Sequence, residues 1–355
     1  MDQTEALIIE TIDRHREEIL EFARDIYSHA ELGYKEFQTS GKFVKKMEQL
    51  GLRTEKGFAI TGVKAYLNED KKENASLALL GELDALRIPE HAFANPETNA
   101  AHCCGHHAQM AGVFGAALAL TVPEIAEKLD GQVVFFATPA EEYGEIEFKN
   151  QLREQGKIRY GGGKCELLRI GAFDDIDLCL THHIRPGNEI LVGSGTGNGF
   201  VSKVIRVLGK ASHAAGAPEK GVNALSAASL GLQALGLNRE TFRDEDCVRV
   251  HPIITKGGNL VNVIPDEVVV ETLVRGKTIE AFTDAAKKTD RSFKAGAIAM
   301  GAKVEISTLP GYLPTLAEEA LPELKHAAEI SASGIPVIEA SGHAGGSTDV
   351  GDVQH

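Results

Sequence analysis

The stretch His102-Cys103-Cys104-Gly105-His106-His107 holds five metal-binding side chains within six residues. An Ala- and Leu-rich run from Met110 to Leu120 follows and predicts a helix, so the cluster lies in a loop feeding a helix N-terminus. The positive end of a helix dipole favours a thiolate. A thiolate beside imidazoles suits a borderline-soft divalent metal. The plainer explanation is a buried loop that happens to be rich in His and Cys, and the acid and His clusters downstream weigh against it.

Two of those clusters are Glu141-Glu142 after Pro139, and His182-His183 before Ile184-Arg185-Pro186. Neighbouring side chains of an extended chain point in opposite directions, so one glutamate can bind metal while the other serves as general base on water. A solvated acidic turn would look the same. Either histidine could be a ligand, and a lone one would more often be a hydrogen-bonded core residue. Further on stand Ser212-His213, Gly257-Gly258-Asn259-Leu260-Val261-Asn262 and Arg275. A His, an Asn and an Arg without nearby acids suit a carboxylate or an oxyanion, although turn chemistry and surface charge explain them equally well.

These groups need elements to aim them. Apolar runs of strand length, Ser76 to Leu80, Val133 to Ala137 and Asp177 to Leu180, lead respectively into Asp84, into Glu141-Glu142 and into His182-His183. Continuous apolar runs separated by helical stretches predict strands buried on both faces of a largely parallel α/β sheet. In such sheets ligands bind beyond the carboxyl ends of the strands, so the clusters converge there. Two N-terminal helices are expected, over residues 3–28 and 40–50. After the glycines at 193, 195, 197 and 199 the order becomes β-α-β-β-α-β, which is ferredoxin-like. Its strands are expected at 202–208, 247–255, 267–275 and 303–307, and its helices at 222–235 and 279–300. The expected fold is therefore α/β, with a mixed, mostly parallel sheet and helices on both faces over residues 1–192 and 311–355. An α+β domain over residues 193–310 is inserted into it.

The 355 residues suit two domains, and 43% hydrophobic with 25% charged residues is the profile of a globular chain. A net charge of −14 argues against a nucleic-acid partner. No apolar run reaches the roughly 18 residues of a membrane span, and the charged N-terminus lacks a signal-peptide pattern. Five cysteines spread over a long chain imply no disulfide framework, so a cytoplasmic location is expected.

Taken in order, Ala30-Glu31-Leu32-Gly33, Asp84-Ala85-Leu86, Cys104-Gly105-His106, Pro139-Ala140-Glu141-Glu142, His183-Ile184-Arg185-Pro186, Ser212-His213-Ala214, Asn262-Val263-Ile264-Pro265 and Gly346-Ser347-Thr348-Asp349 resemble the M20 metallopeptidase and amidohydrolase family. The closer likeness is to its N-acyl-amino-acid and aminobenzoyl-glutamate hydrolases. The resemblance implies one or two divalent ions (zinc, manganese or cobalt) on Cys104, His106, Glu142 and His183. Glu141 would be the general base and Asp84 a support acid. The inserted domain would make a homodimer, with His213 stabilising the oxyanion in the partner's site and Asn262 and Arg275 holding the substrate and its carboxylate. The implied reaction is hydrolysis of an N-acyl or N-aroyl amino acid, or a small dipeptide, by metal-activated water.

Three departures stand out. His107 replaces the Asp or Asn usual after Cys-Gly-His, Gln109 replaces a His, and the chain stops at His355, before the family's last metal-binding His would fall. The alternative reading is therefore a catalytically impaired homologue that binds a small molecule. A Cys104 nucleophile paired with His106 is disfavoured, because it leaves the carboxylate pair without a role.

Overall fold

The computed structural model describes residues 1–355, which divide into two compact units. The first is Met1–Gly193 with Glu319–Ala340, and the second is Ser194–Glu318 with Ser341–His355. The sequence reading assigned all of 311–355 to the first; here that stretch is shared between the two.

In the first unit, α1 (Gln3–Arg14) starts at a capping box in which Asp2 and Glu5 each accept from the other's backbone amide. The expected single helix over residues 3–28 is broken at His15, and α2 (Arg16–Ser28) continues it. The break lets each half pack on the long apolar helix α4 (His106–Leu120). Helix α3 (Phe37–Gln49) completes that layer through Phe43, Val44 and Met47.

The sheet beneath has five strands: β1 (Arg53–Phe58), β2 (Gly62–Leu67), β3 (Ser76–Glu82), β4 (Gln132–Thr138) and β5 (Leu178–Thr181), in the order β1-β2-β4-β3-β5. The β4–β3 and β3–β5 pairings are parallel, and the β1–β2 and β2–β4 pairings antiparallel. Every residue of β4 is buried. Phe135 faces the α2–α4 core, while Phe136 packs on Phe173 on the other face, beyond the short helix α6 (Gly163–Arg169). Between β4 and α6 lies α5 (Ile146–Glu154). The β1–β2 hairpin had no signal of its own, because it carries Lys56 and Lys64. Lys64 is buried and reaches Asp175 at 2.7 Å.

The second unit has the ferredoxin-like order. Strands β6 (Gly199–Leu208), β7 (Ile253–Lys256), β8 (Glu267–Gly276) and β9 (Lys303–Pro310) alternate with helices α7 (Ala224–Asn238) and α8 (Ile279–Ala299). All pairings in the sheet are antiparallel: β8 lies between β6 and β7, and β6 pairs with β9. Alternate residues of β8 are buried: Val268 and Val270 build one cluster with Phe293 of α8, and Val274 a second with Ala281 and Ala285. The expected strand over 247–255 is interrupted, with pairing only at Arg249–Val250 and Ile253–Lys256. No helix is long and apolar enough to cross a membrane, and no cysteine is in a disulfide.

Candidate metal centre

The carboxyl ends of β3, β4 and β5 and the N-terminus of α4 meet at one edge of the first unit's sheet. Gln109 of α4 ties them together. Its Oε1 accepts from the Glu82 amide at 2.8 Å, and its Nε2 donates to Thr181 Oγ1 at 3.1 Å and to the His182 carbonyl at 2.7 Å. An amide can accept and donate at once, so Gln109 serves three backbone or hydroxyl partners that a ring of one tautomer could not.

Around that tie the donor atoms of Cys104, His106 and His183 lie within 4.8 Å of one another, and so do those of His106, Glu141 and Glu142. Cys104 Sγ is 3.3 Å from His183 Nε2. Each histidine is held by its other nitrogen. His106 Nδ1 is 2.8 Å from the Asp84 carbonyl, and His183 Nδ1 is 2.7 Å from the Ile184 carbonyl. A carbonyl only accepts, so both Nδ1 atoms carry hydrogen and both rings turn Nε2 towards the cluster, where the neutral form offers a lone pair to a metal. His106 is fully buried, and apart from Glu82 Oε2 its Nε2 has no hydrogen-bond partner. A thiol, two imidazoles with Nε2 turned inward and nearby carboxylates match the ligand preferences of zinc and its neighbours in the series, so the residues fit a divalent ion.

His182, the other histidine of its pair, lies against α4. Its ring occupies the space beside Gly112, where a Cβ would come within 2.4 Å of Nε2. It is a packing residue.

The turn that carries the two glutamates is gripped by its backbone. The amides of Ala140, Glu141 and Glu142 donate in succession to Glu36 Oε1 (2.8 Å), Asp84 Oδ1 (3.1 Å) and Asp84 Oδ2 (2.9 Å). Both acids are fully buried. Thr61 Oγ1 donates to the second oxygen of Glu36 at 2.7 Å. Ala140 has φ +50°, a left-handed conformation that costs a non-glycine residue free energy and needs such support. Lys149 Nζ donates to the Glu142 carbonyl at 2.7 Å.

The electrostatics follow from burial. Desolvation, then the charge of Asp84, pushes the Glu36 carboxyl up to about 7. Desolvation and Asp84 also raise Glu142. Burial opposes ionisation of Asp84, but the bonds from His106 and from the Glu142 amide outweigh it and hold the carboxyl low. For Cys104 the hydrogen bond with His106 lowers the pKa, yet burial and the charge of Glu142 together outweigh it and the thiol is raised. This corrects the expectation that the helix N-terminus alone would yield a thiolate: carboxylates stand beside the sulfur, and only a cation would reverse their effect.

In the second unit, His213 and Asn262 are neighbours: His213 bridges Val263, and the Ala214 amide donates to the Asn262 carbonyl at 2.9 Å. Both are exposed. His213 Nδ1 accepts from the Gly216 amide at 2.9 Å, which leaves hydrogen on Nε2 of the neutral ring. Arg275 is not brought to them. It pairs with Phe200 at the start of β6, whereas His213 follows the end of that strand, and its guanidinium lies 5.7 Å from the Phe200 ring centre. His343 is engaged inside this unit by Thr196 and Asn198, and His355 by the Pro314 carbonyl.

Sequence reasoning assigned no role to Glu36, Glu82 or Lys164, and named Gln109 only as a departure from the family's pattern. Three glycines before Lys164 are the one local signal, since they mark a tight approach of backbone.

Residues 197–298 match the peptidase dimerisation domain of the M20 family. The chain is 29% identical over 306 residues to the Xaa-Arg dipeptidase of Mus musculus, covering 84% of this chain and 64% of that one. It thus spans less than two thirds of that relative's length. Among solved structures, the aminobenzoyl-glutamate utilization protein of Klebsiella pneumoniae superposes with a TM-score of 0.68 at 20% identity, over 97% of this chain and 88% of that one. The YXEP protein of Bacillus subtilis, described as a dinuclear metal-binding peptidase from the M20 family, does so with a TM-score of 0.62 at 23% identity, over 96% and 86%.

Proposed function

We propose that the chain is a member of the M20 peptidase family, as the match of residues 197–298 to that family's dimerisation domain supports, and that it hydrolyses the amide bond of an N-acyl or N-aroyl amino acid or of a small dipeptide. The observation that carries this reading is the meeting of Cys104, His106, His183, Glu141 and Glu142 at one sheet edge. Cys104, His106, Glu142 and His183 hold a divalent ion, zinc, manganese or cobalt, one or two per chain. When bound, the ion lowers the pKa of water and polarises the scissile carbonyl. Glu141 takes a proton from the attacking water as the new C–O bond forms. It returns that proton to the amine as the C–N bond breaks. Asp84 fixes the direction of both glutamates through their amides.

His213, with hydrogen on Nε2, donates to the oxyanion in the site of a second copy, and Asn262 beside it receives the substrate. Arg275, at the opposite end of β6 from both, reaches the carboxylate of that substrate only if it comes from the other copy of the chain. The relatives' names point to Xaa-Arg dipeptides and to aminobenzoyl-glutamate. In both substrates the amide nitrogen belongs to an amino acid with a free carboxylate, which suits an arginine. A homodimer through the second unit is supported by the match to a dimerisation domain and by apolar side chains left in solvent there, Val261, Leu260 and Ile253. A cytoplasmic setting is supported by five cysteines outside any disulfide.

The test is a panel of N-acyl amino acids and dipeptides with the metal-loaded chain. Glu141→Gln should lower kcat by about 10²–10⁴-fold with metal content unchanged. Unchanged turnover in that variant would exclude the assignment.

A further inference from the structure

Beside the proposed ligands lies a buried group with no assigned role. Lys164, at the start of α6, is fully buried, and its Nζ is 2.5 Å from Glu82 Oε1. The other oxygen of that carboxylate, Oε2, is 3.0 Å from His106 Nε2. Apart from facing each other, neither Glu82 Oε2 nor His106 Nε2 has a hydrogen-bond partner. A Glu141 oxygen also lies within 4.8 Å of one from Glu82.

The proton on His106 Nδ1 is committed to the Asp84 carbonyl. With Nδ1 so engaged, Nε2 faces a carboxylate oxygen, and the pair is held by a positive charge between the two atoms. That charge is a proton in the metal-free chain, where burial is outweighed by Glu82, which raises the His106 pKa, or a metal ion in the loaded one. Two donors that share one ion at about 2.0–2.2 Å each stand about 3.0–3.5 Å apart, which matches the separation found here.

We propose that Glu82, held in place by Lys164, is a further ligand of the metal centre, on the same ion as His106. The inference rests on the reading that this site holds a divalent ion. Lys164 gives it a physical logic. A carboxylate at the dry end of β3 needs a counter-charge to stay ionised, and an ammonium on Oε1 leaves Oε2 free to bind. The lysine thus sets both the charge and the direction of the ligand.

The test uses the 355-residue chain in two arms. In the first, crystals loaded with Co²⁺ are measured at the cobalt absorption edge. The expected anomalous peak lies within about 2.3 Å of Glu82 Oε2. A peak between Cys104 and His183, with Glu82 more than about 3 Å away, would overturn the inference and leave the metal reading standing. In the second, Co²⁺ is titrated by calorimetry and by its visible absorption. The double variant Glu82→Gln with Lys164→Met removes both charges, so no lone buried ion is left. It should bind Co²⁺ about 10–100-fold more weakly, with an altered spectrum. Wild-type affinity and spectrum in a variant that melts like the wild type would overturn the inference. A variant that does not fold leaves the decision to the diffraction arm, which needs no variant. A wild-type chain that takes up no Co²⁺ in either arm would overturn both readings at once.

Discussion

Glu36 makes the sharpest single-residue prediction. It holds the Ala140 amide from a fully buried position, and its carboxyl titrates near 7 because burial, and then Asp84, penalise the charged form. The folded-state pKa lies above the unfolded value, so between about pH 4.5 and about pH 7 the native state binds more protons than the unfolded state. Stability from this residue is therefore full at the acid end and is lost as pH rises through that window. Glu36→Gln keeps an acceptor for Ala140 and mimics the protonated acid. Its stability relative to the wild type should climb across the window, read as urea midpoints at several pH values. A constant difference would show that Glu36 does not change protonation there. None of this was legible beforehand, because Glu36 stands alone in a polar stretch and its partner Ala140 is about a hundred residues away. Asp84, Glu141 and Glu142 were legible, since each ends an apolar run.

Among the elements, what positions the site is where strands stop. Each parallel strand ran apolar up to a polar stop, and the sheet aligned those stops at one edge. That much was written in the chain. The β1–β2 hairpin and the breaks at His15 and after Val250 were not, because tertiary packing decided them against local pattern. The return of the chain from α5 is decided by a close approach. A Cβ on Gly163 would stand 1.6 Å from the Pro139 carbonyl oxygen, and the Gly163 amide donates to Ala140 at 3.1 Å. Gly163→Ala must push the glutamate turn away from α6. It should cost about 1–3 kcal/mol or more in thermal or urea unfolding, and lower turnover beyond what the fraction unfolded explains. A stable, fully active variant would mean the turn tolerates displacement.

At the scale of the whole molecule, the ferredoxin-like order of the second unit was legible from element order alone, whereas the sharing of residues 311–355 between the units was not. That stretch has short elements and no strong period, so only three-dimensional packing decides where it lies. If His213 completes the site of a second copy, variants carrying His213→Ala and Glu141→Gln are each inactive alone. Mixed and allowed to exchange subunits, they should regain about a quarter of wild-type sites, because half the dimers then hold one intact site. No regain after proven exchange would place His213 in its own chain's site or outside catalysis.

The most direct measurement is divalent-metal stoichiometry and affinity of the purified 355-residue chain, by elemental analysis and calorimetry, beside Cys104→Ser and His183→Ala. At least one ion per wild-type chain is expected, with affinity lowered about tenfold or more in each variant. A wild-type chain that takes up no ion while still binding an N-acyl amino acid would contradict the metal-dependent hydrolase and leave a binding protein in its place.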